Sequence, residues 1–152
     1  MSTNYCTFCK IIKRELPASI FYEDEDVLGF MNHKPVHPAE CLLIPKEHID
    51  HFMDIDDDLA AKIMRLSQKL SRYIREHFKP QRVGYVVAGY GVAHAHMIII
   101  PQHHAYDITC QHFAVQKRDE IIFTDEHIPI APREKLDAIA EELKCYLMTC
   151  KE

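Results

Sequence analysis

Glycine is scarce, with only 4 in 152 residues. That leaves little room for a glycine-rich loop of the kind that cradles phosphate groups. Long apolar runs are missing too: stretches such as Met97-Ile98-Ile99-Ile100 fall far short of the ~18 residues a membrane span needs. There is no internal repeat, low-complexity tract or Gly/Ser linker. Nor is there an excess of positive charge: 18 Lys and Arg face 23 Asp and Glu, a net charge of -5. This argues against a protein held on nucleic acid by broad phosphate contacts. The opening stretch, Met1 to Lys10, is mostly polar and reads as neither a signal nor a transit peptide. The expectation is a cytoplasmic protein with no membrane attachment.

What is present suits one globular unit. A chain of this length buries enough surface to fold without a disulfide or metal. Its 47% apolar and 27% charged residues are ordinary for such a domain. Two residue types stand out, with 11 histidines and 6 cysteines. In a reducing compartment a Cys6-x-x-Cys9 pair is metal-binding or redox-active. No thioredoxin-like βαβ unit surrounds it. The other cysteines, Cys41, Cys110, Cys145 and Cys150, are expected to act as small apolar residues.

Periodicity sets the elements. Residues 6–14 read as a short helix stopped before Pro17. Ile20 to Tyr22 and Val27 to Phe30 read as strands joined by the acidic turn Glu23-Asp24-Glu25-Asp26. Cys41-Leu42-Leu43-Ile44 is all apolar and reads as a central strand covered on both faces. A long helix opens at Asp56-Asp57-Asp58, where acids favour a helix N-terminus, and ends by Pro80. Its stripe is Leu59, Ile63, Leu66, Leu70, Ile74 and Phe78. Strands follow at Val83 to Val87 and at Ala93 to Ile100, the latter stopped by Pro101. Residues 102–131 read as an irregular arm with a short strand at Ile121 to Phe123. Pro132 opens a last helix carrying Leu136, Ile139, Leu143 and Leu147. Hairpins with few helices point to an α+β antiparallel sheet.

The segment His94-Ala95-His96-Met97-Ile98 is the most informative. In a strand His94, His96 and Ile98 share one face, while Met97 and Ile99 face the core. Such imidazoles can be merely polar surface, metal ligands, or a nucleophile or base. Gly89-Tyr90-Gly91 precedes them, and small residues there let a backbone approach a ligand and offer N–H groups to an anion.

Taken together, Cys6-x-x-Cys9, the segment Phe21 to Phe30, Leu43-Ile44-Pro45-Lys46-x-His48 and Val92-x-His94-x-His96-x-Ile98-x-x-Pro101 resemble the histidine triad (HIT) superfamily. The resemblance runs from about residue 5 to 103, and the lead-in Val86 to Ala93 resembles a bacterial branch. It implies a HIT-like domain over residues 1–105, with residues 106–152 an arm and helix of the same globule. It implies a homodimer whose antiparallel sheet continues across the interface. It implies a small nucleotide or dinucleotide as partner, and hydrolysis or transfer of nucleotides, with His96 the nucleophile on an α-phosphate. The acceptor of the other ring N–H would be a carbonyl near His94. Phe30, Asn32, His33, Gly89, Gly91 and Ile98 fall on nucleotide-binding positions. In zinc-containing members the Cys pair is completed by the histidine after Ile-Pro-Lys and the first triad histidine. That gives Cys6, Cys9, His48 and His94 as ligands of a closed structural zinc site.

The sequence departs from the family pattern in places. The third triad position is Ile98, which can neither donate a hydrogen bond nor carry charge. Asn32 replaces a ribose-binding acid, Tyr90 and Gly91 replace polar residues of the phosphate loop, and Gln102 replaces an arginine. His103 or His104 could stand in for the missing histidine, though a surface position is the simpler reading. His37, His51, His77, His112 and His127 read as ordinary surface or loop histidines. Two functions follow: a nucleotide hydrolase or transferase working through His96, or a zinc-stabilised module that binds nucleotides or a partner without turnover.

Overall fold

The computed structural model describes residues 6–108 and 110–149, the side chains of Cys110 and Gln111 excepted. Residues 1–5, Cys150 and the Cys110 side chain therefore lie outside the described residues. The elements are α1 (Thr7–Ile12), β1 (Ile20–Glu23), β2 (Val27–Met31), β3 (Cys41–Pro45), α2 (Asp57–Phe78), β4 (Arg82–Val86), β5 (Met97–Gln102), β6 (Ala114–Lys117), β7 (Glu120–Phe123) and α3 (Arg133–Thr149). Five strands form one antiparallel sheet in the order β1-β2-β3-β5-β4, and β6 pairs with β7 in a separate hairpin. This is the α+β antiparallel architecture expected from the pattern.

β3 lies at the centre and all five of its residues are buried, as its unbroken apolar run requires. Its alternate side chains serve two cores. On one face Val27, Met31, Cys41, Leu43, Met97 and Ile99 meet Ile63, Leu66, Leu70 and Ile74 of α2, and Leu136, Ala140 and Leu143 of α3. On the other, Leu28, Phe30, Leu42 and Ile44 meet Phe8, Cys9 and Ile11 of α1. β2 crosses the first core closely at Gly29. A Cβ there would lie 2.6 Å from Phe21 Cε2 and 3.0 Å from Leu43 Cδ2, so only glycine fits.

α2 is capped as its sequence dictates: the Asp56 side chain accepts the Asp58 N–H at 2.9 Å. It ends on Lys79 in the left-handed region, φ 53°, just before Pro80. Near the first turn of the sheet, Lys62 pairs with Asp24 and Asp26, both at 2.7 Å. Arg14 pairs with Glu23.

Three expectations need correction. The strand read over Ala93–Ile100 begins only at Met97 and runs through Pro101 to Gln102. Ahead of it the Ala95 N–H leaves the ladder and donates to the Ile49 carbonyl at 2.6 Å. Pro101 is tolerated because β3 pairs no further than Ile99, so at Pro101 only β4 flanks the strand. The arm contains a hairpin, β6–β7, where only one short strand was expected. Cys145 is exposed, on the solvent side of α3, whereas Cys41 is buried as expected. No helix among the described residues is long and apolar enough to cross a membrane.

Candidate active site and metal centre

The N-terminal helix and the histidine segment meet at one point. α1 lies on the sheet face bearing Leu28, Phe30 and Leu42. Its Cys6 and Cys9 face His94 and, from the loop after β3, His48. The donor atoms of these four all lie within 4.8 Å of one another. Cys6 Sγ is 3.5 Å from His94 Nδ1, and Cys9 Sγ is 3.3 Å from His48 Nδ1 and 3.6 Å from His94 Nδ1. The two Nδ1 atoms are 3.3 Å apart. A tetrahedral zinc with ordinary Zn–S and Zn–N bonds requires about 3.5 Å between sulfur and nitrogen and about 3.3 Å between nitrogens. The residues therefore fit the ion.

The tautomer agrees. His94 Nε2–H donates to the Pro45 carbonyl at 2.8 Å, which leaves the Nδ1 lone pair facing the two sulfurs. Burial pulls the His94 pKa below 6.5 and keeps the ring neutral, as a ligand must be. Burial and the neighbouring Cys6 push the Cys9 thiol up to about 11 on protein groups alone, and a bound cation would deprotonate it.

His96 is buried, 6% exposed, on the same side as His94. Its Nδ1 lies 2.7 Å from the His94 carbonyl. That carbonyl can only accept, so Nδ1 carries the proton and Nε2 keeps its lone pair. Both rings lean on the edge of Phe8, with centroids 5.3 Å away for His96 and 5.8 Å for His94. Phe8 in turn packs on Phe30 at 5.5 Å. The alternation expected along this segment survives outside the hydrogen-bonded strand. Ala95, Met97 and Ile99 enter the α2 core, while Ile98 packs with Leu28, Phe30 and Leu42.

A cleft of about 230 Å³ opens beside His96, lined by Asp50, His51, Phe52, Met53, Val87, Ala88, Gly89 and Ala95. Of the expected nucleotide-binding residues only Gly89 lines it with His96. Gly91 is exposed, and neither glycine has a positive φ or an atom within 4 Å of a Cβ position. Their smallness leaves the loop open to a ligand rather than serving a turn. Phe30 is buried beneath Phe8. Asn32 lies at the other end of the sheet face. Its Nδ2 donates to Glu40 Oε1 at 2.6 Å, and its Oδ1 accepts the Lys34 N–H at 3.1 Å. The His33 side chain is exposed, and its carbonyl accepts the Ala131 N–H at 2.9 Å.

Neither His103 nor His104 lines the cleft. Their N–H groups donate to Asp107 Oδ2 at 2.6 and 2.8 Å. His112 Nε2 lies 2.9 Å from Asp107 Oδ1. His37 Nε2 lies 2.8 Å from Oδ2, but off the line of a good hydrogen bond. Burial opposes the Asp107 charge, yet the His104, His112, His103 and His37 groups outweigh it and hold its pKa well below 3.8. Nearby, burial outweighs the hydrogen bonds from Asn32 and the Val36 N–H and raises the Glu40 pKa above 4.5. His37 and His112 are thus parts of a polar network that fastens the arm, not stray loop histidines.

Three participants escaped sequence reasoning. Phe8 carried a weak signal, an apolar residue inside the Cys-x-x-Cys spacing. His51 follows Asp50 in a loop, with nothing to mark that it lines the same cleft as His96. Asp107 gave no signal at all.

Comparison with known proteins places these features in context. A family model described as "HIT domain" matches residues 13–105. The chain is 38% identical over 103 residues to protein hit of Bacillus subtilis, covering 64% of this chain and 71% of that protein. It is 33% identical over 106 residues to adenosine 5'-monophosphoramidase HNT1 of Candida albicans, covering 64% and 70%. Its fold matches the crystal structure of a Zn-bound histidine triad family protein from Mycobacterium smegmatis with a TM-score of 0.71, at 21% identity over 99% of this chain and 100% of that one.

Proposed function

The chain belongs to the HIT domain family, and from that footing we propose that it is a nucleotide hydrolase or transferase whose nucleophile is His96. One observation carries this reading: a buried imidazole in a residue that lines an open cleft commits its Nδ1–H to the His94 carbonyl at 2.7 Å, which leaves the Nε2 lone pair for attack. Nε2 attacks the α-phosphorus, forming a P–N bond, and the bond to the leaving group breaks with its electron pair. Water then takes the phosphoryl group, and the nucleoside monophosphate departs. The open glycine-containing loop brings backbone N–H groups toward the phosphoryl oxygens. The substrate class is a nucleoside phosphoramidate or a dinucleoside polyphosphate. Similarity to the Candida albicans phosphoramidase supports that class.

The Cys6, Cys9, His48 and His94 set holds zinc in this reading. With four protein donors the ion has no open position for water and supplies a cross-link rather than chemistry. Its effect is to clamp α1, and with it Phe8, against His94 and His96. The homodimer would continue the sheet from β4, its outer strand at one end. The reduced Cys6, Cys9 and Cys41 suit the cytosol.

Ile98 favours a second reading, a nucleotide- or partner-binding module without turnover. The residue is half-buried among apolar side chains and offers no donor. The test incubates the zinc-loaded protein with adenosine 5'-phosphoramidate and with diadenosine polyphosphates, beside His96→Ala. Mass spectrometry follows the monophosphate and a nucleotidyl adduct on the protein. Release that vanishes in His96→Ala supports catalysis. Binding without release or adduct supports the module, and Ile98→His should then restore turnover.

A further inference from the structure

His51 lines the same cleft as His96, in a chain whose third triad position holds Ile98. We propose that His51 is the proton donor to the leaving group in this chain, an inference that rests on the reading of His96 as nucleophile.

Among the residues that line the cleft, only Asp50, His51 and His96 are ionisable. The rest are Phe52, Met53, Val87, Ala88, Gly89 and Ala95, which carry no side-chain donor. His96 is spent as nucleophile on one nitrogen and tied to a carbonyl on the other. Asp50 bears the wrong charge to meet a departing anion. His51 is therefore the side chain that can give a proton there.

Its backbone is held in register with the nucleophile. The Ala95 N–H, next to His96, donates to the carbonyl of Ile49 at 2.6 Å. Two residues on, the His51 carbonyl accepts the Asp54 N–H at 3.0 Å and closes the 3₁₀ turn Phe52–Asp54. The loop is thus fastened on both sides of His51, while its ring stays free to reach a ligand. The side chain is 63% exposed, with Nε2 3.9 Å from Asp50 Oδ2. Ile98 and His103 offer no rival, since neither lines the cleft.

The Nε2 lone pair of His96 forms the bond to phosphorus. The phosphorus–nitrogen bond of a phosphoramidate breaks, its electron pair goes to the amine, and the His51 imidazolium supplies the proton. Neutral His51 then takes a proton from the water that attacks the nucleotidyl-His96. The electron pair of that P–N bond returns to Nε2, and His51 is an imidazolium again. Amine departure needs this proton far more than departure of a weakly basic phenolate does.

The experiment compares wild type, His51→Ala, His51→Gln and His96→Ala on two substrates: an AMP phosphoramidate of an aliphatic amine, and the p-nitrophenyl ester of AMP. General acid catalysis contributes about 100-fold or more. His51→Ala should therefore lose about that factor in kcat/KM on the phosphoramidate and less than about fivefold on the ester. His51→Gln, which donates a hydrogen bond but no proton, should not restore the amine substrate. Equal losses on both substrates, no loss on either, or rescue by Gln would each overturn the assignment. Wild type inactive on both substrates, or His96→Ala still active, would instead overturn the reading of His96 itself.

Discussion

Replacing Phe8 by alanine tests how the short α1 helix is held on the site. Phe8 is 7% exposed and touches three rings, Phe30, His94 and His96. A phenylalanine buries roughly 200 Å², which at about 25 cal/mol per Å² is ~4–5 kcal/mol, and measured Phe→Ala losses in cores run about 3–5 kcal/mol. α1 spans only six residues, too few to be stable alone, so the loss should appear as local release of this helix. Amide hydrogen exchange reads that release directly. In the zinc-free, reduced protein, the Lys10 and Lys13 amides, bonded to the Cys6 and Cys9 carbonyls at 3.1 and 3.0 Å, should exchange much faster in Phe8→Ala. A loss of about 3–4 kcal/mol corresponds to roughly 150- to 900-fold. Amides of α2 between Ile63 and Ile74, in the other core, should change little. Acceleration below about tenfold in α1, or equal acceleration in α2, would refute the picture of α1 as a separately docked unit held by Phe8.

Other expectations follow from the same geometry. Cys9→Ser should abolish stoichiometric zinc binding, read by metal analysis after dialysis, because it removes one donor from a closed four-donor set. Gly29→Ala should cost about 1–3 kcal/mol in urea unfolding, since its Cβ would press on the Phe21 ring and Leu43. Asp107→Asn should cost about 2–4 kcal/mol at pH 7 by leaving the His104, His103, His112 and His37 groups without their charged acceptor. The folded Asp107 pKa is depressed, so its contribution is full above about pH 4 and fades as pH falls toward the folded value. The stability gap between wild type and Asp107→Asn should therefore hold above about pH 4 and narrow progressively below it, and a gap that widened would contradict the sign.

Much of this molecule was legible in the chain itself. The unbroken apolar run Cys41 to Ile44, ended by Pro45, read as a central strand covered on both faces, and it is the middle of the sheet. The 3- and 4-residue steps from Leu59 to Phe78 fixed one buried face of α2, because helix periodicity is local. The four sulfur and imidazole donors were named through the resemblance to zinc-containing family members, and the fold brings them within 4.8 Å of one another. Other features depend on contacts between segments far apart in sequence. The histidine segment starts its ladder late because the Ala95 N–H is taken by Ile49, about 45 residues earlier. The buried Asp107 meets His37, 70 residues earlier in the chain, as well as its near neighbours His103, His104 and His112. His51 shares a cleft with His96 through the same Ile49 bond, which no local pattern encodes. Sequence thus determined which residues are apolar, and its resemblance to a family pointed to four metal donors and to His96. Tertiary structure decided which of the remaining polar groups meet, because that depends on long-range backbone pairing rather than on period or spacing.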